Sequence, residues 1–324
     1  MKHVTIVVPK GHTVLSSITG PFEILTRANA WWQSKGKQSL LEVCIAGFAG
    51  EQQFDEGYCS VHPDDINKIK RTDLIIIPSV AYSEDQIAQN AALIKWIAAA
   101  YKQGAEIASI CSGAFLLAAT GLLDGRRCST HWNNAAMFRR LFPAVSLVPD
   151  TLITSEAGIH TNGGAFSFLN LILFLVEKVF DRDTAIWCAK TFQIDIDRDS
   201  QAHFFIFETQ KAHGDELIGR AQTYIEDNLA GKISFEDLSA ALAISRRNFD
   251  RRFIKATGNT PVAYLQRVKV EAAKRSLEQG RKTIFEIMDE VGYTDEKAFR
   301  EVFKKVTGFS PLEYKGKYNT RQRA

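Results

Sequence analysis

The string CSGAFLLAATG begins at Cys111, directly after the apolar run Ala105–Ile110. A strand that ends in Cys, a small residue and Gly, and then enters an apolar helix, makes a sharp turn of the nucleophile-elbow kind, presenting one side chain above the sheet edge. Gly113 has no Cβ and tolerates close approach at that turn. A thiol at a helix N-terminus is favoured as thiolate. His131 follows twenty residues later in CSTHW, and an imidazole can serve such a thiol as base. A second reading is equally simple: Cys111 is a small buried hydrophobe, as free cysteines often are, and His131 a hydrogen-bonded structural histidine.

The other chemistry is electrostatic. The net charge of +3 conceals an asymmetry: residues 1–214 hold 19 Lys and Arg against 21 Asp and Glu, and residues 215–324 hold 21 against 16. The basic excess suggests a polyanion-binding end joined to a neutral one. Within it, FDRRFIKATGNTPVAY (249–264) and FREVFKKVTGFSPLEY (299–314) are identical at seven of sixteen positions at an offset of 50. Phe249 and Phe253 share one helix face and should pack inward. Arg246, Arg247, Asp250 and Arg251 then face outward. In the second copy Phe299 and Phe303 point in, leaving Glu296, Lys297, Arg300 and Lys304 outside. A helix carrying cationic forks can enter the DNA major groove and read guanine edges. The first copy is the more basic and is expected to dominate affinity. The bland alternative is a helical repeat with a solvated basic surface.

These residues need elements to hold them. Val4–Val8, Glu42–Phe48, Leu74–Ile77 and Ala105–Ile110 read as buried strands. Ile87–Tyr101, apolar at Ile87, Ala91, Ile94 and Ala98, reads as a helix ended by Gly104. Strand–helix–strand order implies βαβ units around a mostly parallel sheet, where ligands bind beyond the carboxyl ends of the strands. Asp183–Thr191 should close this first unit. Near the C-terminus each repeat reads as helix–turn–helix: Phe235–Ala243, then a helix N-capped by Ser245; Thr283–Val291, broken by Gly292, then a helix from about Asp295. Gly258 and Gly308 end the second helices. Pro261–Gln279 forms a linker helix that should set the recognition helices about one DNA turn, ~34 Å, apart.

Composition narrows the rest. Apolar residues make up 45% and charged residues 24%, ordinary for a globular chain. No apolar run approaches the ~20 residues of a membrane span. MKHVTIVVP reads as a strand without a signal-peptide cleavage site, and five irregularly spaced cysteines without a CxxC pair suggest a cytoplasmic protein with reduced thiols, no structural metal and no cofactor.

ICSGAFLLAATGLLDG followed by STHW resembles the PfpI/ThiJ branch of the class I glutamine amidotransferase-like superfamily. The resemblance implies a flavodoxin-like α/β sandwich in which Cys111 is the elbow residue, His131 the downstream histidine, and Glu23, in TGPFEIL, an acid close to the thiol. GIHTNGGAFSFLN (158–170) departs from the pattern, carrying a Gly pair where related regulators have Ser/Ala-Gly followed by Asp. The C-terminal hundred residues, most specifically GFSPLEY, resemble the AraC/XylS DNA-binding domain. Together they resemble the GlxA-like group of AraC-family regulators. That implies residues 1–194 as a sensor and dimerisation domain, 195–214 as a connector, and 215–324 as an all-α DNA-binding domain with two helix-turn-helix units. The implied partners are double-stranded promoter DNA, a small effector that in such proteins is often nitrogen-containing, a second copy of the chain, and RNA polymerase. Turnover at Cys111 is not expected. The alternatives are a Cys-dependent hydrolase or hydratase fused to a DNA-binding domain, and a redox sensor with Cys111 oxidised to sulfenate.

Overall fold

The computed structural model describes residues 1–324 except 49–51, 55–56, 82, 199, 208, 210, 212 and 320–324. It divides into two compact units, Met1–Gln201 and Ala202–Ala324. The first contains β1 (Lys2–Val8), α1 (Ser16–Ser34), β2 (Leu41–Gly47), β3 (Gln52–Phe54), β4 (Cys59–Val61), β5 (Asp64–Asp65), β6 (Leu74–Ile77), α2 (Glu84–Gln89) and α3 (Ala91–Lys102). It continues with β7 (Glu106–Ser109), α4 (Gly113–Ala118), β8 (Arg127–Cys128), α5 (Ala135–Leu141), β9 (Ser146–Leu147), β10 (Ile153–Glu156), β11 (Ile159–Asn162), α6 (Phe168–Val179) and α7 (Arg182–Phe192).

Seven strands form one sheet in the order β10-β11-β7-β6-β1-β2-β5. All neighbours run parallel except the β10–β11 hairpin at one edge. Parallel strands covered on both faces read as continuous apolar runs, and all four residues of β6 are buried. Side chains alternate between faces. Val4, Ile6, Val8 and Ile76 pack with α1, α6 and α7 on one side, through Leu25, Leu171 and Cys188. Val7, Ile75, Ile77 and Ile107 pack with α3, α4 and α5 on the other, through Ile97, Phe115 and Phe138.

The single helix expected over Ile87–Tyr101 is two helices. Asn90 breaks it because its amide is engaged elsewhere, accepting from the Lys10 amide (2.8 Å) and donating to the Lys10 carbonyl (3.0 Å). The predicted apolar stripe flanks the core face, with Ile87 and Ile94 packing half-buried against it. Leu93, Ile97 and Ala100 are buried, while Ile87, Ala91, Ile94 and Ala98 border an open surface groove of about 400 Å³.

The second unit holds α8 (Glu216–Asp227), α9 (Phe235–Ala241), α10 (Arg246–Thr257), α11 (Pro261–Gln279), α12 (Ile284–Glu290), α13 (Glu296–Thr307) and α14 (Pro311–Tyr318). Ser245 and Asp295 N-cap α10 and α13, and Gly258 (φ 70°) and Gly308 (φ 81°) close them in the left-handed conformation that suits glycine. The repeat holds atom by atom. Thr257 Oγ1 donates to the Phe253 carbonyl and Thr307 Oγ1 to that of Phe303, both at 2.8 Å. The Tyr264 hydroxyl donates to Glu226 of α8 (2.9 Å), and the Tyr314 hydroxyl to Glu278 of α11 (2.7 Å). Burial and the accepting carboxylates hold both phenols well above their usual pKa. Each half therefore consists of an upstream helix, a helix–turn–helix and a downstream helix, with α11 serving as downstream helix of the first and upstream helix of the second. Tyr264 and Val268 lie in one core, Val270, Ala273 and Leu277 in the next.

The stretch expected as a connector is divided between the units. Gln201 is buried in the first, and Phe207 in the first helical core of the second. The Phe207 amide donates to Glu271 (3.1 Å), and Lys274 Nζ reaches both Glu271 (2.8 Å) and the Phe205 carbonyl (2.5 Å). A buried lysine–glutamate pair whose remaining capacity is used by backbone groups avoids the penalty of unpaired buried charge.

Truncating Phe303, fully buried between α13 and Tyr314, to alanine should lower stability by about 3–5 kcal/mol. Tyr314→Phe, which removes only the hydroxyl bonded to Glu278, should cost about 1.5–3 kcal/mol. Denaturant titration of the full chain, followed by far-UV circular dichroism, measures both.

Candidate functional site

Cys111 is a non-glycine residue in the left-handed region, φ 54°. Such a conformation costs about 1–3 kcal/mol and persists only where neighbours impose it. Here they do. Ser112 Oγ accepts from the Val80 amide (3.1 Å), donates to the Val80 carbonyl (2.5 Å) and lies 2.9 Å from Ser79 Oγ. Thr130 Oγ1 donates to the Cys111 carbonyl at 2.8 Å. Four hydrogen bonds at about 0.5–1.5 kcal/mol each offset the strain. Gly113 meets the requirement read from the sequence, since a Cβ there would lie 2.5 Å from the Pro78 carbonyl oxygen.

The turn presents less than the sequence suggests. Cys111 is buried, with 7% of its surface exposed. Among the described residues no hydrogen bond joins its sulfur to His131 or Glu23. Glu23 lies on α1 with its side chain 62% exposed and pairs with Arg27 one turn on, at 3.7 Å. His131 caps the 3-10 turn Trp132–Asn134, its Nδ1 accepting from the Asn133 amide at 3.2 Å. Its accepting Nδ1 leaves the proton on Nε2, and burial lowers its pKa, so the ring is neutral at pH 7. The sequence placed three groups in one pocket. The structure ties Cys111 to the residue before His131 through the Thr130 hydroxyl, and pairs Glu23 with a surface arginine.

Gln201, which the sequence reading passed over, holds the loop opposite. It is 1% exposed. Its Oε1 accepts from the Gly164 amide (2.7 Å), and its Nε2 donates to the carbonyls of Thr130 (3.0 Å) and Pro149 (2.6 Å). The glycine pair that departs from the family pattern now has a cause. A Cβ at Gly163 would sit 2.4 Å from the Gln201 amide, and one at Gly164 would sit 2.7 Å from the His131 ring. The signal was present in the pair itself, but not its partner 37 residues on. Two more hydroxyls are notable: Thr13 Oγ1 and Ser109 Oγ are buried without a hydrogen-bond partner among the described residues. Thr13 forms a β-bridge with Val80, the residue that Ser112 grips.

The second site is the pair of recognition helices. Phe249, Phe253, Phe299 and Phe303 are fully buried, as expected. Arg247 and Arg251 are exposed on α10; Glu296, Lys297, Arg300 and Lys304 are exposed on α13. Arg246 is less free. Its guanidinium donates to Glu236 (2.7 Å) and Asp250 (2.9 Å) and lies over the Phe235 ring. Arg252, absent from the sequence reading, anchors the helix with a two-pronged bond to Asp215 at 2.8 and 3.0 Å. On α13, Arg300 pairs with Glu296 at 2.5 Å. No helix is long and apolar enough to cross a membrane among the described residues.

Both units have counterparts among known proteins. Residues 4–159 match the model of the DJ-1/PfpI family, and residues 238–317 that of a helix-turn-helix domain. The chain is similar to the HTH-type transcriptional regulator GbdR of Pseudomonas aeruginosa, 24% identical over 227 residues, covering 68% of this chain and 60% of that protein. It is 34% identical over 101 residues to an AraC-like transcription regulator of Streptomyces lividans, covering 31% of this chain and 33% of that one. Among solved structures, a transcriptional regulator protein from Vibrio parahaemolyticus shares the fold at a TM-score of 0.53 and 24% identity, over 59% of this chain and 98% of that one.

Replacing Gln201 with alanine removes the acceptor of the Gly164 amide and the donor to two carbonyls. It should cost about 1–3 kcal/mol and speed amide hydrogen exchange at Gly164, read by mass spectrometry.

Proposed function

We propose that this chain, whose residues 4–159 match the DJ-1/PfpI family model and whose residues 238–317 match a helix-turn-helix domain, is a sequence-specific DNA-binding transcription regulator whose first unit senses a small metabolite. The carrying observation is the duplicated recognition helix. Two helices of twelve residues bury equivalent phenylalanine pairs and turn cationic faces outward. α11 has nineteen residues, about 28 Å of helix, and so supports a spacing near one DNA turn. The basic balance of residues 215–324 and the AraC-like relative support the same reading. Double-stranded promoter DNA is the partner. The chain acts as a homodimer in the cytoplasm and activates transcription through RNA polymerase.

The first unit binds its effector without turning it over. Supporting this, the relatives the chain matches are named transcriptional regulators. The unsatisfied hydroxyls of Thr13 and Ser109 favour a polar effector, such as a small nitrogen-containing metabolite, because a buried hydroxyl gains by acquiring a partner. A sensor needs only different affinity in its two states.

Two measurements test the proposal. Arg247→Ala and Arg251→Ala should each weaken binding to a cognate duplex by about 1–3 kcal/mol where the side chain reads a base; an equal loss on random duplex assigns the residue to phosphate contact. A genome-wide footprint supplies the cognate site. Cys111→Ser should leave effector-dependent transcription intact. Turnover of amides, nitriles or α-oxoaldehydes by the parent protein that vanishes in this variant would establish the enzyme reading instead.

A further inference from the structure

The offset of 50 that aligns the two helix–turn–helix copies pairs Arg246 with Glu296 and Asp250 with Arg300. In each recognition helix the two residues are joined across one helical turn: Arg246 Nε to Asp250 Oδ1 at 2.9 Å, and Arg300 to Glu296 Oε1 at 2.5 Å. The same ion pair thus occupies the same place in both copies with its polarity reversed. The other retained residues, Phe, Phe, Thr, Gly, Pro and Tyr, pack or cap, apart from the exposed Lys255 and Lys305. Fold maintenance requires a compatible pair at these positions, which either order supplies. It does not require the order to be opposite in the two halves.

We propose that this reversed pair is the specificity element of the DNA-binding unit, and that it makes the two halves read one base pair in opposite orientations. The inference rests on the DNA-binding reading above. At the fifth position of α10 stands the Asp250 carboxylate, an acceptor that matches the N4 amino group of cytosine. Its Oδ2 makes no hydrogen bond among the described residues. At the fifth position of α13 stands the Arg300 guanidinium, whose donors match O6 and N7 of guanine. The first-position residues are positioning residues. Arg246 is held by Glu236 and Phe235, is 32% exposed, and steadies Asp250. Glu296, 57% exposed, steadies Arg300, itself 58% exposed. At equivalent positions of the two half-sites the contacted strand therefore carries cytosine under α10 and guanine under α13. Arg247 and Lys297, cationic in both copies, contribute a phosphate attraction common to the halves.

The test is selection of bound duplexes from a pool randomised over both half-sites, using the full chain, its E296R/R300D variant and its D250A variant. The first variant keeps an ion pair across the same turn and has no third partner to clash with. The parent should enrich cytosine at one position of the first half-site and guanine at the equivalent position of the second. In E296R/R300D the second half-site should change from guanine to cytosine, with the first unchanged. In D250A the first half-site should lose its cytosine preference at least ten-fold in enrichment, with the second unchanged. Enrichment of the same base at both positions by the parent overturns the proposal while leaving DNA reading intact, as does an unchanged guanine in an E296R/R300D variant that still binds. Parent protein that enriches no sequence overturns both this proposal and the regulator reading. A variant E296R/R300D that retains parental helicity by circular dichroism and affinity for random duplex, yet selects no base at the position, also overturns it.

Discussion

One helix that belongs to two cores at once, α11, is the constraint around which the second unit is built. Its N-terminal half closes the first core through Tyr264 and its C-terminal half opens the second through Val270, Ala273 and Leu277. In each half, a buried tyrosine hydroxyl reaches back to a glutamate on the upstream helix. Because a buried hydroxyl without a partner is costly, these bonds fix the angle at which upstream and downstream helices meet. The phenylalanine pairs beneath the recognition helices then have one packing solution, and their outer faces follow. The same helix clamps Phe205 and Phe207 through Lys274 and Glu271, so the segment arriving from the first unit is part of the fold of the second.

In the first unit four described non-glycine residues, Cys111, Ala157, Ala165 and Gln193, lie in the left-handed region, and Cys111 is the one at the elbow. Cys111 sits in the left-handed region because Ser112, Thr130 and the close approach of Gly113 to β6 leave the chain no other path. That path buries the thiol while bringing the Thr130–His131 stretch alongside, which Gln201 joins to the glycine pair of the opposite loop. The result is a polar, hydrogen-bonded end of the sheet that brings the Cys111 turn, the Thr130–His131 stretch and the glycine pair together.

Much of this was legible in the primary structure. Local periodicity and capping residues located β1, β2, β6 and β7, the elbow and helices α9 to α13, because period, caps and glycine punctuation act over a few residues; the β10–β11 edge hairpin and the outer helices α8 and α14 were not read from the sequence. Inward packing of Phe249, Phe253, Phe299 and Phe303 followed from four-residue spacing alone. The helix over 87–101 differed from its reading because Asn90 divides it, bonded to Lys10, which lies 80 residues away in sequence and is adjacent only in space.

What the amino-acid order determined by itself is therefore the inventory: an α/β sheet with an elbow, a duplicated helical motif, and a basic terminal third. What the tertiary structure alone decided is which polar groups meet. Glu23 faces Arg27, Gln201 fills the space above Gly163, Arg252 grips Asp215, and Arg246 is held by Glu236. The physical reason is range. Helix and strand preferences are properties of neighbouring residues, whereas a hydrogen bond or ion pair between distant segments depends on how whole elements pack, and a side chain's chemistry depends on the partner that packing supplies.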